Sequence, residues 1–343
     1  MAKLLSIIIP TYNMEEYLRR CLDSLILENE DDSQLLDIII INDGSTDSSS
    51  CIGHEYETRF PNVFRVIDKE NGHYGSCVNR GLKEAEGKYV RVLDADDYLD
   101  CNVFPDYLHT LAVVDSDVFI SDYNEVNEDG MVTRAVHFKG LVEKKKSVVT
   151  SMFANMRMLI HAVAYRTELL RQIDYCQSEG LLYTDQEWMF LPFAYCKSYY
   201  YLPNMPLYNY LLGRKGQSVD RKMHCKNISD EVKGLYVMID KYLDKKEELD
   251  EIGLNYLEGR LRSRMRVVYS TYILRYFRVL SRRDIISIDK YIKSKSEQIY
   301  LLADDISMPN QLHYFFVKEW RKQYRISFKI WAIRIYLLFR RLV

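Results

Sequence analysis

The chain has 343 residues, 48% of them apolar, and a net charge of −2. That apolar share supports a sizeable core and excludes a globally disordered chain, while the near-neutral balance gives no overall nucleic-acid footprint. Seven cysteines (Cys21, Cys51, Cys77, Cys101, Cys176, Cys196 and Cys225), odd in number and without CxxC spacing, fit a reducing compartment and argue against a disulfide framework or a zinc ribbon.

Leu4 to Ile9 is apolar on both faces and stops at Pro10, which reads as a buried parallel strand. The run is too short for a secretory leader. Asn13 with Glu16 three residues on predicts a helix N-cap. Tyr17, Leu18, Cys21, Leu22, Leu25 and Ile26 then lie on one stripe of the helix that follows. Asp37 to Ile41 reads as a second buried strand, stopped by Asn42-Asp43-Gly44-Ser45, and Ser45 or Asp47 caps a second helix. Val63 to Ile67 is a third strand, and Asn71 to Gly75 is a turn before a helix through Asn79 and Leu82. Tyr89 to Leu93 is a fourth strand and runs into Asp94-Ala95-Asp96-Asp97.

This alternation predicts an α/β fold with a mostly parallel sheet and helices on both faces. Ligands in such sheets sit beyond the carboxyl ends of the strands. Thr11-Tyr12-Asn13, Asp43-Gly44-Ser45 and Asp94 to Asp97 all fall at those ends. No GxGxxG or GxxxxGK[ST] follows the first strand, which argues against a dinucleotide fold and a P-loop.

The residue types at this rim suit a nucleoside diphosphate. Tyr12 offers a flat ring for a base, or a packing contact. Asp43 is an acceptor for the ring N–H of a base such as uracil, or a turn residue. Asp94 suits ribose hydroxyls. Asp96 suits a divalent cation, Mn²⁺ or Mg²⁺, which works with one or two carboxylates plus phosphates. Carboxylates directly after a buried strand are costly unless paired or functional. His161, in the apolar run MLIHAVAYRTELL, reads as a core histidine.

The strings SIIIPTYNMEEYLRRCLDSL, IIINDGSTDSS, ENGHYGSCVNRGL and KYVRVLDADDYL resemble the nucleotide-binding half of family 2 glycosyltransferases of the GT-A, Rossmann-like fold. The likeness runs from Ser6 to Leu99 and more loosely to Ser218. It implies that Pro10, Thr11, Tyr12 and Asp43 bind the base of a UDP-sugar donor, that Asn79 supports the pocket, that Asp94 and its neighbour Ala95 meet the ribose, and that Asp96 holds the metal. The family's catalytic base is the Asp of a Glu-Asp pair at a helix start. The matching string GLLYTDQEWMF supplies Asp185, with Thr184 where the Glu stands. Asp185 also suits a helix N-terminal acid. Glu187 lies two residues on and faces elsewhere on a helix. The string LYNYLLGRKGQSVD matches the family's phosphate-closing loop and gives Arg214, Gln217 and Ser218 as phosphate contacts. The implied reaction is an inverting transfer of a hexose or N-acetylhexosamine to a saccharide acceptor, which requires no covalent enzyme intermediate, with a polyprenyl-diphosphate-linked acceptor as one form. A non-catalytic nucleotide-sugar-binding protein of the same fold is the alternative.

Residues 1–225 are expected to form the catalytic domain, with a nucleotide-sugar half at 1–115 and an acceptor half at 116–225. Residues 226–343 are expected to be α-helical, with long helices around Val232 to Leu243 and Tyr256 to Leu280, broken near Pro309. The tail from Tyr314 to Val343 carries eight Lys/Arg against Glu319, a net +7 on a body of −9. On one helix, Lys318, Lys322, Arg325 and Lys329 form a basic stripe opposite Trp320, Tyr324, Phe328, Trp331, Ile335 and Leu338. This pattern suits a membrane interface, with packing on the protein or on a second copy as the other readings. The expected location is the cytoplasmic face of the cell membrane, peripherally bound, since no segment reaches the roughly 20 apolar residues of a span.

Overall fold

The computed structural model describes residues 2–214, 217, 221–276, 280–307 and 314–339. The chain forms two compact units, one made of Met1–Thr150 with Arg157–Gln217, the other of Ser151–Met156 with Ser218–Val343.

The first unit is built on strands β1 (Leu5–Thr11), β2 (Leu36–Asn42), β3 (Phe64–Asp68) and β4 (Tyr89–Val92). Two short strands, β5 (Tyr98–Leu99) and β6 (Val118–Ser121), precede a hairpin of β7 (Tyr123–Val126) and β8 (Val132–Val136). Strands β9 (Lys146–Val148), β10 (Val163–Arg166), β11 (Ser198–Leu202) and β12 (Tyr208–Leu211) complete the set. The large sheet has the order β3-β2-β1-β4-β10-β6-β11-β9. Its first four strands are parallel, and β10 enters antiparallel between β4 and β6. A second sheet, β5-β12-β7-β8, lies in the same unit.

Both β1 and β2 are buried along their whole length, as a strand covered on both faces must be. The chain leaves β1 toward β2 and β3 on one side, then returns to β4 on the other. That reversal makes a switch point between β1 and β4, the place where sheets of this kind bind ligands at their carboxyl ends. The opposite ends are closed by a buried polar knot. Ser6 Oγ donates to Asp37 Oδ2, and Arg65 Nε donates to Asp37 Oδ1 at 2.9 Å. The buried Asp37 carboxylate is thereby paired with a guanidinium at that end of the sheet.

Asn13 differs from its expected part. The first helix begins only at Leu18, and Asn13 sits in a left-handed conformation with φ 53°. Its Oδ1 accepts from Thr46 N–H at 2.8 Å, and its own N–H donates to Ser45 Oγ at 3.0 Å. The side chain that reads as a helix cap instead joins the loop after β1 to the loop after β2. Glu15 adds a second tie, accepting from Ser48 N–H at 2.9 Å.

The second unit is helical, with long helices Ile228–Lys245, Glu251–Ser270 and Arg282–Lys295. The helix expected to run through Leu280 changes at Thr271–Arg275 into one π-helical turn. Residues 151–156 join this unit because Gly259, on the second long helix, leaves room for the Ala154 carbonyl. Pro309 lies outside the described residues.

The tail is not one helix. It divides into Phe316–Arg321 and Phe328–Phe339, with Tyr324 between them at φ 50°. Trp320 is 1% exposed, and Tyr324 Oη donates to Asp289 Oδ2 at 3.1 Å. Arg321 pairs with Asp289 and Asp304 at 2.7 and 2.9 Å. The first half of the expected lipid-facing stripe is thus core, because an aromatic and a buried ion cluster draw it inward. Lys318, Lys322, Arg325 and Lys329 stay exposed. Phe328 and Trp331 are 79% and 51% exposed and stack on each other at 5.8 Å. Among the described residues, no helix is long and apolar enough to cross a membrane.

Candidate active site

The carboxyl ends of β1, β2 and β4 bring the three polar clusters to one rim. Pro10 and Thr11 end β1 and are buried, while Tyr12 directly after them is 48% exposed. Asp43 follows β2 and is 3% exposed. Its Oδ1 accepts from Lys69 Nζ and from Gly72 N–H at 2.9 Å. Lys69 was not foreseen. It follows β3 and neutralises a carboxylate that β2 buries, a pairing that needs the strand order and is invisible in the string itself.

The cluster after β4 divides by environment. Asp97 is fully buried and accepts from Tyr208 Oη at 2.6 Å and from Leu211 N–H at 2.7 Å. It therefore fastens β12 to the end of β4. Asp94 is partly buried, with Tyr74 Oη donating to its Oδ1 at 2.7 Å. Ala95 is buried between them. Burial first, and the charge of Asp96 second, hold the Asp94 and Asp97 carboxyls above the usual range.

Asp96 meets the segment after β12. Arg214 Nε donates to Asp96 Oδ2, and Gln217 Nε2 lies 3.5 Å from the same oxygen. Gln217 also donates to the Leu211 carbonyl at 2.7 Å and accepts from Gly213 N–H at 2.9 Å, which fixes the turn. Ser218 lies outside the described residues. A guanidinium seated on Asp96 is a cation where the sequence expects a metal. The site's charge and its oxygen donors fit Mn²⁺ or Mg²⁺, because either ion replaces one positive charge with another on a hard carboxylate oxygen.

Asn79 uses both ends of its amide on one loop. It donates to the Gln177 carbonyl at 2.9 Å and to Glu179 Oε1 at 2.8 Å, and accepts from Gln177 N–H at 2.8 Å. The helix that carries it, His73–Glu84, comes so close to this loop that a Cβ on Gly75 would overlap the Ser178 carbonyl. The loop leads to Thr184, whose Oγ1 accepts from Gln177 Nε2 at 2.9 Å, and then to Asp185 at the start of a short helix. Burial first, with the charge of Asp185 among the smaller contributions, pushes up Asp94, Tyr74 and Tyr210, which places Asp185 near the rim. Glu187 turns inward, 2% exposed, and accepts from Ser178 N–H at 3.2 Å.

His161 is the residue that sequence reading left aside. It is 4% exposed, stacked on Tyr210 at 4.1 Å between ring centres, and close to Tyr208 at 4.6 Å. Burial first, and Arg91 second, lower its pKa to about 3, so the ring is neutral. The antiparallel insertion of β10 beside β4 delivers it under Asp94 and Asp97, and no local pattern announces that placement.

With this geometry established, the likeness to known proteins gains a physical content. The sequence profile described as glycosyl transferase family 2 matches residues 6–173. The glycosyltransferase GlyA of Streptococcus pneumoniae is 31% identical over 184 residues, 52% of this chain and 24% of that protein. The chain spans about a quarter to a third of the curated relatives it matches. Staphylococcus aureus TarS 1–349, solved with UDP-GlcNAc, superposes with a TM-score of 0.67 at 20% identity, over 94% of this chain and 93% of that one. The mannosyltransferase PcManGT of Pyrobaculum calidifontis, solved with GDP-Man and Mn²⁺, gives 0.51 at 12% identity, over 98% and 86%. These two share the fold. Residues 6–173, whose strand ends carry the rim just described, belong to glycosyl transferase family 2, and the chain has the GT-A fold.

Proposed function

We propose that this chain is an inverting glycosyltransferase that moves a hexose or N-acetylhexosamine from a UDP-sugar to a saccharide hydroxyl in cell-surface polysaccharide synthesis. The observation that carries this reading is the convergence of Asp94 and Asp96, Asp185, and Arg214 from three separate segments at one switch point. Tyr12, exposed after β1, stacks the base, and Asp43, held by Lys69, accepts its ring N–H. Pro10 and Thr11 fix the strand end beneath them. Asp94, oriented by Tyr74, takes the ribose hydroxyls, with Ala95 leaving room beside it. Asn79 holds the loop that leads to Asp185.

Inversion requires one displacement at the anomeric carbon. The acceptor oxygen attacks, its proton passes to Asp185, and the bond from that carbon to the diphosphate breaks. A divalent cation at Asp96, Mn²⁺ or Mg²⁺, supplies charge neutralisation for the leaving group when bound. With Asp96 holding a cation, Arg214 would be free to present its fork to the diphosphate, assisted by Gln217 and Ser218. A single displacement of this kind needs no covalent nucleophile.

The acceptor in this reading is lipid-linked, on a polyprenyl diphosphate, and the enzyme is peripheral on the inner face of the cell membrane. The exposed Lys318, Lys322, Arg325 and Lys329, with Phe328 and Trp331, support that surface. The smaller apolar face left by Trp320 makes electrostatic attraction the larger part of it.

The test is thermal melting of the full chain against UDP, GDP and UDP-sugars, with and without Mn²⁺, beside Asp96→Ala. A ligand at 100 times its dissociation constant adds about 2.7 kcal/mol. Metal-dependent stabilisation by one UDP-sugar, lost in the variant, supports the reading. Stabilisation by UDP-sugar without any donor turnover, even with mixed saccharide acceptors, favours a binding protein of the same fold. No stabilisation by any nucleotide overturns both.

A further inference from the structure

Asp94, Asp97 and His161 bring one ligand atom each to within 4.8 Å of one another. Two carboxylates at the end of a buried strand are not a site by themselves. The imidazole changes the case. His161 is 4% exposed, and its Nδ1 has no hydrogen-bond partner. A buried polar atom without a partner ordinarily costs about 1–3 kcal/mol. Here that cost is borne by a ring that has a nitrogen within 4.8 Å of a carboxylate oxygen of Asp94 and of Asp97.

The surroundings are those of an oriented ligand set. Tyr208 and Leu211 N–H fix both oxygens of Asp97. Tyr74 fixes Oδ1 of Asp94, and among the described residues no donor reaches Oδ2. Arg91 Nη2 donates to the His161 carbonyl at 2.9 Å and so anchors the histidine to β4, the strand that ends in Asp94. Outer hydrogen bonds of this kind orient metal ligands. Arg214 meanwhile occupies Asp96, so the two positions hold their cations through different oxygens.

We propose that Asp94, Asp97 and His161 form a second divalent-cation seat, separate from the Asp96 position and filled without donor. One imidazole and two carboxylates suit a transition-series cation such as Zn²⁺, Co²⁺ or Mn²⁺ better than Mg²⁺ or Ca²⁺, which favour all-oxygen sets. With tetrahedral ligand bonds of about 2.0–2.2 Å, the ligand atoms stand roughly 3.4 Å apart, so a pair at the 4.8 Å limit closes by about 1.4 Å when the cation is bound. The bound cation ties the end of β4 to the segment before β10. It thereby fixes Asp94, a positioning effect on the ribose contact. The seat itself does not depend on the glycosyltransferase reading, since it is filled by metal alone.

The experiment uses the chelator-treated full chain, Co²⁺ alone and no nucleotide. Expected are one bound Co²⁺ with visible absorption, a loss of affinity of at least tenfold in His161→Gln, and little change in Asp96→Asn. Equal Co²⁺ binding by parent and His161→Gln overturns the proposal, as does loss of binding in Asp96→Asn alone. X-ray absorption of the Zn²⁺-loaded parent guards against a variant that does not fold. Imidazole scattering about the metal supports the seat, and an all-oxygen shell refutes it. Failure here leaves UDP-sugar stabilisation intact, whereas failure of the donor reading leaves Co²⁺ binding intact.

Discussion

At the residue scale, the rim gives single side chains opposing parts. Arg214 sits on Asp96, and in the proposed reaction it also supplies charge to the diphosphate. Arg214→Ala is therefore expected to tighten Mn²⁺ binding in the absence of nucleotide and to weaken UDP binding in its presence. Calorimetric titration of each ligand separately checks the two signs, and a change of both in the same direction refutes the account. Asp185→Asn keeps the shape of the side chain and removes its basicity. It is expected to leave UDP-sugar stabilisation unchanged and to lower turnover by about 10²–10⁴-fold, measured as UDP release. Away from the rim, His54 bonds Asp68 and Glu57, each at 2.8 Å, and these carboxylates raise its pKa. A histidine raised in the folded state binds protons more tightly there than in the unfolded chain. Its stabilisation is full below the ordinary imidazole value of about 6.5 and is lost as pH rises through the raised one. Urea melts of His54→Gln and the parent are expected to differ at pH 5.5 and to converge at alkaline pH, the pH values being chosen about one unit below and well above that range.

At the element scale, periodicity located the strands well because β1 and β2 are uniformly apolar, and such runs are read without knowing the partner strand. It misjudged the tail because a stripe shows spacing and not continuity. The left-handed Tyr324 and the buried cluster at Asp289 end the helix that the spacing continues. Trp320→Ala is expected to cost about 3–5 kcal/mol in chemical denaturation, as a core aromatic does. A residue facing lipid would cost far less, so a loss below about 1 kcal/mol refutes its core assignment. Trp331→Ala, by contrast, is expected to leave stability nearly unchanged and to weaken sedimentation with anionic vesicles. Gly259→Ala places a Cβ 2.0 Å from the Ala154 carbonyl oxygen, and overpacking of that kind costs about 1–3 kcal/mol.

At the scale of the whole molecule, the sequence by itself determined the parallel α/β half. Its strands are long apolar runs, and the polar clusters Thr11-Tyr12, Asp43 and Asp94 to Asp97 punctuate them at fixed ends, so a local pattern carries both the element and its function-bearing edge. Asp185 and Arg214 were legible only through resemblance, since an acid at a helix start or a basic turn has ordinary explanations. Tertiary structure alone decided which of these groups meet. The strand order reverses between β1 and β4, and β10 and β12 return from distant parts of the chain. That return sets Arg214 on Asp96, Tyr208 on Asp97, and His161 close to Asp94 and Asp97. Pairings across such separations depend on loop closure and burial summed over the fold, and no window of sequence contains that information.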